Sequence, residues 1–268
     1  MKLKKLLFLA LVLCIAVSCI SCMSNLEDFP EIYDSSDEAQ SSVPETELTD
    51  ALADTDENYK HIAFTFDDGP DERFTKKFVD KLAEYGGRAT FFVVGNRITE
   101  KTAETMQYAV AKGNEIGIHA FTHQYTFDTC DEESYSRELK YTRNSIFSYV
   151  GVEPTLMRPP QGAMSRERVL ASKYPIILWS VDSEDWKHKG RDNESDISSN
   201  VEIIVDNVLS NVKDGDIVLM HEIYENSYLA FSIIIDTLYK EGYRFLTVSE
   251  LLGESIQSGT KYHSYVAN

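Results

Sequence analysis

Two histidines and an adjacent pair of aspartates are the residues of this chain best suited to holding a metal ion. His119 and His123 are four residues apart, a spacing that lets both imidazoles reach one ion from a helix or a tight loop. Asp67 and Asp68 point to opposite sides of an extended chain, so one carboxylate can bind a cation while the other faces a substrate. Two histidines and one carboxylate leave open positions on zinc or a similar ion, as in catalytic sites. By itself, the aspartate pair with its following glycine and proline would more often be a turn.

Three further polar clusters could act on a substrate bound beside such an ion. Arg158 precedes two prolines that stiffen its loop, and its guanidinium could hold a carboxylate by paired hydrogen bonds. His221 could transfer a proton, although a single histidine is more often packed or at the surface. The third cluster contains Asp182, Asp185 and Trp186, and a solvated loop with one buried indole would explain it equally well.

The position of these clusters in the chain makes them more specific together than separately. Each directly follows a short apolar run, and amphipathic segments with helical periodicity separate the runs. The predicted strands are 62–66, 90–94, 116–118, 156–157, 176–179, 217–220 and 245–248, and the predicted helices are 74–85, 102–112, 134–150, 166–173, 200–211 and 229–241. This alternation predicts parallel strands joined by right-handed crossovers, with all carboxyl ends at one face. The pattern does not distinguish a barrel from a doubly wound sheet.

Five motifs carry a resemblance to a known family. In chain order they are Thr65-Phe66-Asp67-Asp68-Gly69-Pro70, His119-x-x-x-His123, Arg158-Pro159-Pro160-x-Gly162, Asp182-x-x-Asp185-Trp186 and Leu219-x-His221. They resemble the motifs of the polysaccharide deacetylase family, which is carbohydrate esterase family four or the chitooligosaccharide deacetylase homology domain. The resemblance covers about residues 60–252. It implies an α/β fold of the distorted (β/α)7 barrel type, which is TIM-like, rather than an open sheet.

The resemblance also implies a role for the motif residues. It implies a divalent metal, with zinc expected and cobalt, nickel or manganese as alternatives, on three ligands: Asp68, His119 and His123. It implies four catalytic residues: Asp67 as the general base, Arg158 orienting Asp67, His221 as the general acid, and Asp185 holding and tuning His221. It implies a substrate pocket of four residues: Pro160, Gln161, Trp186 and Leu219. Within this pocket, Trp186 and Leu219 would receive the acetyl methyl group.

Two positions depart from the family pattern. Ala120 stands where the family usually has serine or threonine, so a supporting hydrogen bond is missing and the metal loop could be looser. Gln161 stands where an aromatic residue is frequent. The backbone N–H of Gln161 can still serve an oxyanion, so we expect altered sugar contacts rather than lost chemistry.

Residues 1–22 have the pattern of a bacterial leader. Lys2, Lys4 and Lys5 precede an apolar run that is too short to span a membrane comfortably. Small residues lead into Cys19, which resembles a lipobox whose cysteine receives the lipid and becomes the mature N-terminus. Cys22 is a weaker candidate, and an ordinary cleaved signal is the alternative. We therefore expect an extracytoplasmic lipoprotein anchored in the membrane, or otherwise a secreted protein.

After the leader, the sequence predicts a linker followed by one folded domain. Residues 23–59 are rich in Asp, Glu, Ser and Thr and lack Lys and Arg, a composition that predicts a disordered, extended linker. Residues 60–268 form the predicted catalytic domain, which we expect to be a monomer. Cys130 is the single cysteine after the leader and is expected to be structural or incidental. The formal net charge of −18 for the 268 residues argues against a nucleic-acid partner, because phosphate binding needs a basic face.

These features predict a metal-dependent hydrolase that removes acetyl groups from an N-acetylated glycan. Peptidoglycan is the expected substrate for a tethered enzyme, followed by other N-acetylhexosamine polymers. O-deacetylation of an acetylated xylan stays open, because the same site can cleave esters. A catalytically silent glycan-binding lipoprotein would be expected to lack Asp67, a metal ligand or His221, and this chain has them all.

Overall fold

A parallel β-sheet is the centre of the fold. The computed structural model describes residues 59–189 and 194–264, so the predicted leader with Cys19 and the linker up to residue 58 lie outside the described residues. The described residues contain eight strands: β1 (Lys60–Asp67), β2 (Thr90–Val94), β3 (Glu115–Ala120), β4 (Ile176–Ile177), β5 (Val181–Asp182), β6 (Ile217–His221), β7 (Tyr243–Phe245) and β8 (Lys261–Tyr262).

Strand β1 lies in the middle of the sheet, whose order is β3-β2-β1-β6-β5. The first residues of β1 also pair with β7, and β4 pairs separately with β8. All of these pairings between described strands are parallel. From Ile62 to its end β1 is buried, which explains why its sequence is a nearly continuous apolar run rather than an alternating one.

Isolated bridges extend the pairing beyond β3. Met157 pairs in parallel with Ile118 of β3 and with Ile176 of β4. The paired residues therefore run from β5 through β6, β1, β2 and β3 to β4. The fold is α/β with a parallel sheet, whereas closure of that sheet into a (β/α)7 barrel stays a prediction.

Seven α-helices of the described residues connect the strands: α1 (Thr75–Ala83), α2 (Glu100–Ala111), α3 (Glu132–Ser145), α4 (Arg166–Ala171), α5 (Glu194–Leu209), α6 (Glu225–Lys240) and α7 (Val248–Leu252). Local sequence explains several boundaries. Thr99 caps α2 within a capping box, and Asp131 caps α3 by accepting the N–H of Ser134. A π-helical turn, Ile146–Val150, continues α3 and ends at Gly151, whose positive φ suits glycine. Within the described part of the chain, none of the helices has both the length and the apolar character that crossing a membrane requires.

Alternate residues of β1 serve the two sides of the sheet. The ring of Phe66 packs 4.6 Å from that of Phe78 in α1 and 5.2 Å from that of Phe231 in α6. Because strand side chains alternate, Thr65 and Asp67 share the opposite face. The aromatic core therefore fixes the direction in which the Asp67 carboxylate points.

The predicted elements agree with the structure apart from a few ends. Strand β2 has the predicted bounds, and each predicted helix overlaps an observed one. The last predicted strand, 245–248, is wrong over most of its length: only Phe245 lies in β7, and Val248 begins α7, because Thr247 and Glu250 form a capping box there. The predicted strand 176–179 stops at Ile177, and the predicted strand 156–157 pairs only through bridges at Met157.

Candidate functional site

The carboxyl ends of several strands open into one cavity of about 600 Å³. Asp67 of β1 and His221 of β6 are paired residues on neighbouring strands, and His119 lies near the end of β3. The cavity is lined by Asp67, Asp68, His119, His123, Gln161, Trp179, Asp182, Trp186, Lys189, Leu219, His221 and Tyr224. The structure therefore brings the three predicted metal ligands together with the predicted acid and base.

Asp68, His119 and His123 form a cluster suited to a cation. One possible ligand atom from each residue lies within 4.8 Å of those from the other two. Oδ1 of Asp68 is 3.5 Å from Nε2 of His119 and 3.4 Å from Nε2 of His123. This oxygen is buried and accepts no hydrogen bond within the described structure, as expected of an atom shaped to bind an ion.

The tautomer of His119 fits the same role. Its Nδ1 is 2.7 Å from the carbonyl oxygen of Arg158, so Nδ1–H donates to that carbonyl and leaves the Nε2 lone pair directed at Asp68. Backbone acceptors behind a histidine ligand commonly orient the ring in this way. The residues present therefore fit a divalent metal with one carboxylate and two imidazole ligands.

The charges at this cluster also favour a cation. Burial opposes the ionisation of Asp68, yet the imidazole of His119 beside it holds the pKa of that carboxyl well below its usual range. Burial and the neighbouring His119 lower the pKa of His123, which favours the neutral imidazole that binds metals. Burial acts against protonation of His119, but the carboxylates of Asp67 and Asp68 outweigh it and raise its pKa. Asp68 is thus ionised and His123 neutral, the forms in which these two groups bind a metal ion.

Arg158 is fully buried and holds Asp67 from behind the cavity. Its Nη1 donates to Oδ1 of Asp67 at 2.9 Å and to the hydroxyl of Thr65 at 2.7 Å. Its Nε and Nη2 donate to the carbonyl oxygens of Ile177 and Leu178 at 3.0 and 2.8 Å. Four acceptors fix the guanidinium, so Asp67 keeps one orientation, with Oδ2 3.9 Å from Nε2 of His119.

Asp185 is fully buried and holds His221. Its Oδ1 is 2.7 Å from Nδ1 of His221, and its Oδ2 accepts the backbone N–H of the same histidine at 2.7 Å. The hydroxyl of Ser227 donates to Oδ2 at 2.5 Å. Burial disfavours the charged imidazole, but the Asp185 carboxylate outweighs it and raises the pKa of His221 to about 9. The Asp185 carboxylate therefore favours the protonated imidazole of His221.

The predicted substrate pocket is only partly at the cavity surface. Gln161, Trp186 and Leu219 line the cavity, and the Trp186 side chain is 44% exposed, as expected of a surface that awaits a ligand. Pro160 is buried in the turn Pro160–Gly162, which also contains Gln161.

The sequence reasoning did not identify several residues of the site. Trp179, Lys189 and Tyr224 also line the cavity. The hydroxyl of Thr65 accepts from Arg158, which holds Asp67, and the hydroxyl of Ser227 donates to Asp185, which holds His221. Thr65 could have been found, because it lies two strand positions before Asp67 and so on the same face.

Backbone strain is concentrated at this site. Four non-glycine residues of the described chain have positive φ: Asp68 at 70°, His123 at 58°, Gln161 at 58° and Glu184 at 56°. The first three line the cavity, and Glu184 precedes Asp185. Such conformations cost about 1–3 kcal/mol each and persist where the surroundings impose them, often at functional sites.

Glu222 packs closely against Gly69 of the aspartate loop. It is fully buried, and a Cβ at Gly69 would lie 1.6 Å from its Oε1, so only glycine fits at position 69. Burial raises the pKa of Glu222 to about 8. The chain thus buries a protonated carboxyl group directly against the loop that carries Asp68.

The fold and the site together define a parallel α/β protein in which a three-residue cluster suited to a cation lies beside a carboxylate held by an arginine and an imidazole held by an aspartate. A family model described as polysaccharide deacetylase matches residues 54–174. The peptidoglycan-N-acetylglucosamine deacetylase of Listeria monocytogenes is 36% identical over 203 residues, which are 76% of this chain and 41% of that protein. A peptidoglycan-N-acetylglucosamine deacetylase of Bacillus cereus is 37% identical over 203 residues, which are 73% of this chain and 89% of that protein.

A solved structure shares this fold. The family 4 acetyl xylan esterase from Clostridium thermocellum, in complex with a cobalt ion, has a TM-score of 0.68 and 29% identity, covering 76% of this chain and 98% of that one. This chain belongs to the polysaccharide deacetylase family. It spans about two-fifths of the length of the Listeria relative.

Proposed function

We propose that this chain is a metal-dependent hydrolase that removes acetyl groups from an N-acetylated glycan, with peptidoglycan as the first candidate. The proposal rests on three groups that converge on one cavity. They are the cluster of Asp68, His119 and His123, the Asp67 carboxylate that Arg158 holds, and the His221 imidazole that Asp185 holds. The printed names of the Listeria and Bacillus cereus relatives support peptidoglycan as the substrate.

Asp68, His119 and His123 would hold the metal. A divalent ion bound there supplies Lewis acidity, which makes water a better nucleophile and an acetyl carbonyl a better electrophile. Zinc is the first candidate, with cobalt, nickel or manganese as alternatives, and the cobalt in the xylan esterase structure supports a divalent ion.

Asp67 would act as the general base. Arg158 holds its Oδ1, which leaves Oδ2 as the oxygen able to take a proton from an attacking water. Because the guanidinium is anchored to two backbone carbonyls and a hydroxyl, this carboxylate needs no reorganisation during the reaction.

His221 would act as the general acid. Its Nδ1–H is donated to Asp185, so its Nε2 is the atom that can protonate a leaving amine. The elevated pKa of His221 ensures that this proton is present near neutral pH. Trp186 and Leu219 would contact the acetyl methyl group, and the backbone N–H of Gln161 would stabilise the oxyanion.

The proposal extends to architecture and location. The pairings from β5 around to β4 through Met157 support a distorted (β/α)7 barrel. The leader pattern supports action outside the cytoplasm as a lipoprotein lipidated at Cys19, tethered by residues 23–59. The relatives named for peptidoglycan are consistent with that location.

A second candidate activity is O-deacetylation of acetylated xylan. The similarity to an acetyl xylan esterase over 98% of that protein's chain favours it. An ester is a better electrophile than an acetamide, so the same groups could cleave it without change. Which acetyl group is preferred therefore has to be measured.

The test is acetate release from a panel of substrates by the metal-replete protein. The panel contains peptidoglycan, N-acetylglucosamine oligomers and acetylxylan. We expect acetate from the N-acetylated glycans, loss of activity with a chelator, and recovery with zinc or cobalt. Asp67→Asn and His221→Ala should each lower kcat on the order of 10²–10³-fold.

The exposed Asp206→Asn on α5 is the matched control and should retain full activity. Unfolding curves should show that the two site variants remain folded. Acetate release only from acetylxylan would favour the esterase. Metal and glycan binding with no acetate release from any substrate would favour a silent binding protein.

A further inference from the structure

A buried carboxylate from a neighbouring helix holds the loop between the two histidine ligands. Oε2 of Glu138 in α3 accepts the backbone N–H groups of Phe121 and Thr122, both at 2.7 Å. Its Oε1 accepts the hydroxyl of Thr122 at 2.7 Å. We propose that Glu138 is a positioning residue that presets the metal site by fixing this loop, an inference that rests on the function proposed above.

The loop needs such a constraint. It leaves β3 after Ala120 and must return the imidazole of His123 to the ion that His119 would bind, four residues after His119. His123 achieves this with a positive φ of 58°, a conformation that costs energy unless neighbouring contacts impose it. Ala120 is fully buried and has no side-chain donor or acceptor to help. The three hydrogen bonds from Phe121 and Thr122 to Glu138 supply this constraint instead.

Glu138 is itself held in place. Its side chain is 1% exposed, and it lies within α3, whose start Asp131 caps. One turn later, the hydroxyl of Thr142 donates to the Glu138 carbonyl at 2.6 Å. The loop is therefore tied to a fixed helix rather than to another loop, and a support on a rigid element positions a ligand more precisely.

The chemistry of the group matters as well as its place. An ionised carboxylate only accepts hydrogen bonds and can satisfy all three donors at once. A glutamine at position 138 can accept through one oxygen, whereas its amide nitrogen would oppose a donor. Alanine would leave the partly buried backbone N–H groups of Phe121 and Thr122 without their partner. Support for the loop should therefore decrease in the order Glu, Gln, Ala.

The chain contains a matched control on the same strand. Glu115, at the opposite end of β3, also accepts three donors: the hydroxyl of Thr90 and the backbone N–H and hydroxyl of Ser249. It ties α7 to the sheet, away from the histidines. Replacing Glu115 removes a comparable set of hydrogen bonds without touching the metal loop.

The experiment measures cobalt binding to the metal-stripped protein by visible absorption, with zinc competition. We expect Glu138→Ala to weaken affinity by about 10–100-fold and Glu138→Gln by less, because supporting residues of metal ligands typically have effects of this size. Thr122→Val removes one of the three bonds and should weaken affinity a few-fold. Glu115→Gln should leave affinity within about twofold of wild type while lowering resistance to urea.

The outcomes separate this inference from the metal site itself. Cobalt affinities of Glu138→Gln and Thr122→Val equal to that of wild type, in folded protein, would overturn the positioning role. If Glu138→Ala does not fold, these two variants still decide the question. A wild-type protein that binds neither cobalt nor zinc would instead refute the proposed function. An equal loss of affinity in Glu115→Gln would show that general stability, not loop position, governs binding.

Discussion

The contact between Asp185 and His221 can be tested by a single isosteric change, Asp185→Asn. The carboxylate accepts from Nδ1–H and from the backbone N–H of the same histidine, and a hydroxyl from Ser227 holds it in place. Asparagine keeps the size of the side chain but removes its charge. The change therefore removes the negative charge and one acceptor oxygen of Asp185 with little change in packing.

The structure gives the size of the expected effect. Burial favours the neutral imidazole, and the charge and hydrogen bond of Asp185 are the main opposing influences that raise the pKa of His221 to about 9. Against an ordinary histidine pKa of about 6.5, this difference corresponds to about 3 kcal/mol in favour of the protonated form. Without the carboxylate, burial remains, so the pKa of His221 should fall to about 6.5 or lower.

The same shift predicts how stability depends on pH. A histidine whose folded-state pKa is raised stabilises the fold fully below its unfolded pKa, and that contribution is lost as pH rises through the folded pKa. The contribution of His221 to the free energy of unfolding of the wild type should therefore fall by up to about 3 kcal/mol between roughly pH 6.5 and 9. Asp185→Asn should lack this loss and start from a lower stability at pH 6.

The assay is an NMR titration of the His221 ring in metal-stripped protein, with urea unfolding at the two ends of the pH range. Asp182→Asn is the matched control, because Asp182 lines the same cavity but accepts the backbone N–H of Glu184 rather than a histidine proton. It should move the pKa of His221 much less. If His221 still titrated near pH 9 in Asp185→Asn, Asp185 would not be the group that keeps the acid protonated.

Two further substitutions test the buried charges around the site. Arg158→Met leaves the Asp67 carboxylate without its buried cation. It should lower the free energy of unfolding by about 3–5 kcal/mol, as measured by urea denaturation. A loss below about 1 kcal/mol would show that this pair contributes little to stability. Glu222→Gln tests the opposite case, because burial raises the pKa of this carboxyl to about 8 and the folded state then favours the protonated form. The free energy of unfolding of the wild type should fall by up to about 5 kcal/mol as pH rises from about 4.5 through 8, and that of Glu222→Gln should not. Parallel curves of stability against pH for the two proteins would refute the burial of a protonated Glu222.

The helices and most strands follow from local patterns. The apolar run of β1 and the helical periodicities predicted their elements to within a few residues, because burial of a strand or of a helix face leaves a repeat in the sequence. Even the main boundary error had a local signal. Thr247-Val248-Ser249-Glu250 is a capping-box sequence, so the start of α7 at Val248 could have been predicted.

The motif residues were predictable because they follow the strands. Parallel strands place their carboxyl ends at one face, so polar residues after successive apolar runs must approach one another. This reasoning correctly brought Asp68, His119 and His123 together. It could not place Pro160, whose side chain is buried although its neighbour Gln161 lines the cavity.

What the sequence determined by itself is the set of reactive groups and the strands that carry them. Only the tertiary structure decided which groups support them: Arg158 reaches Asp67 across 91 residues, Ser227 reaches Asp185 across 42, and Glu138 reaches Phe121 across 17. Local periodicity records whether a side chain is buried, but not which distant donor it meets. Those partners depend on how whole helices pack against the sheet, and packing is a property of the assembled core.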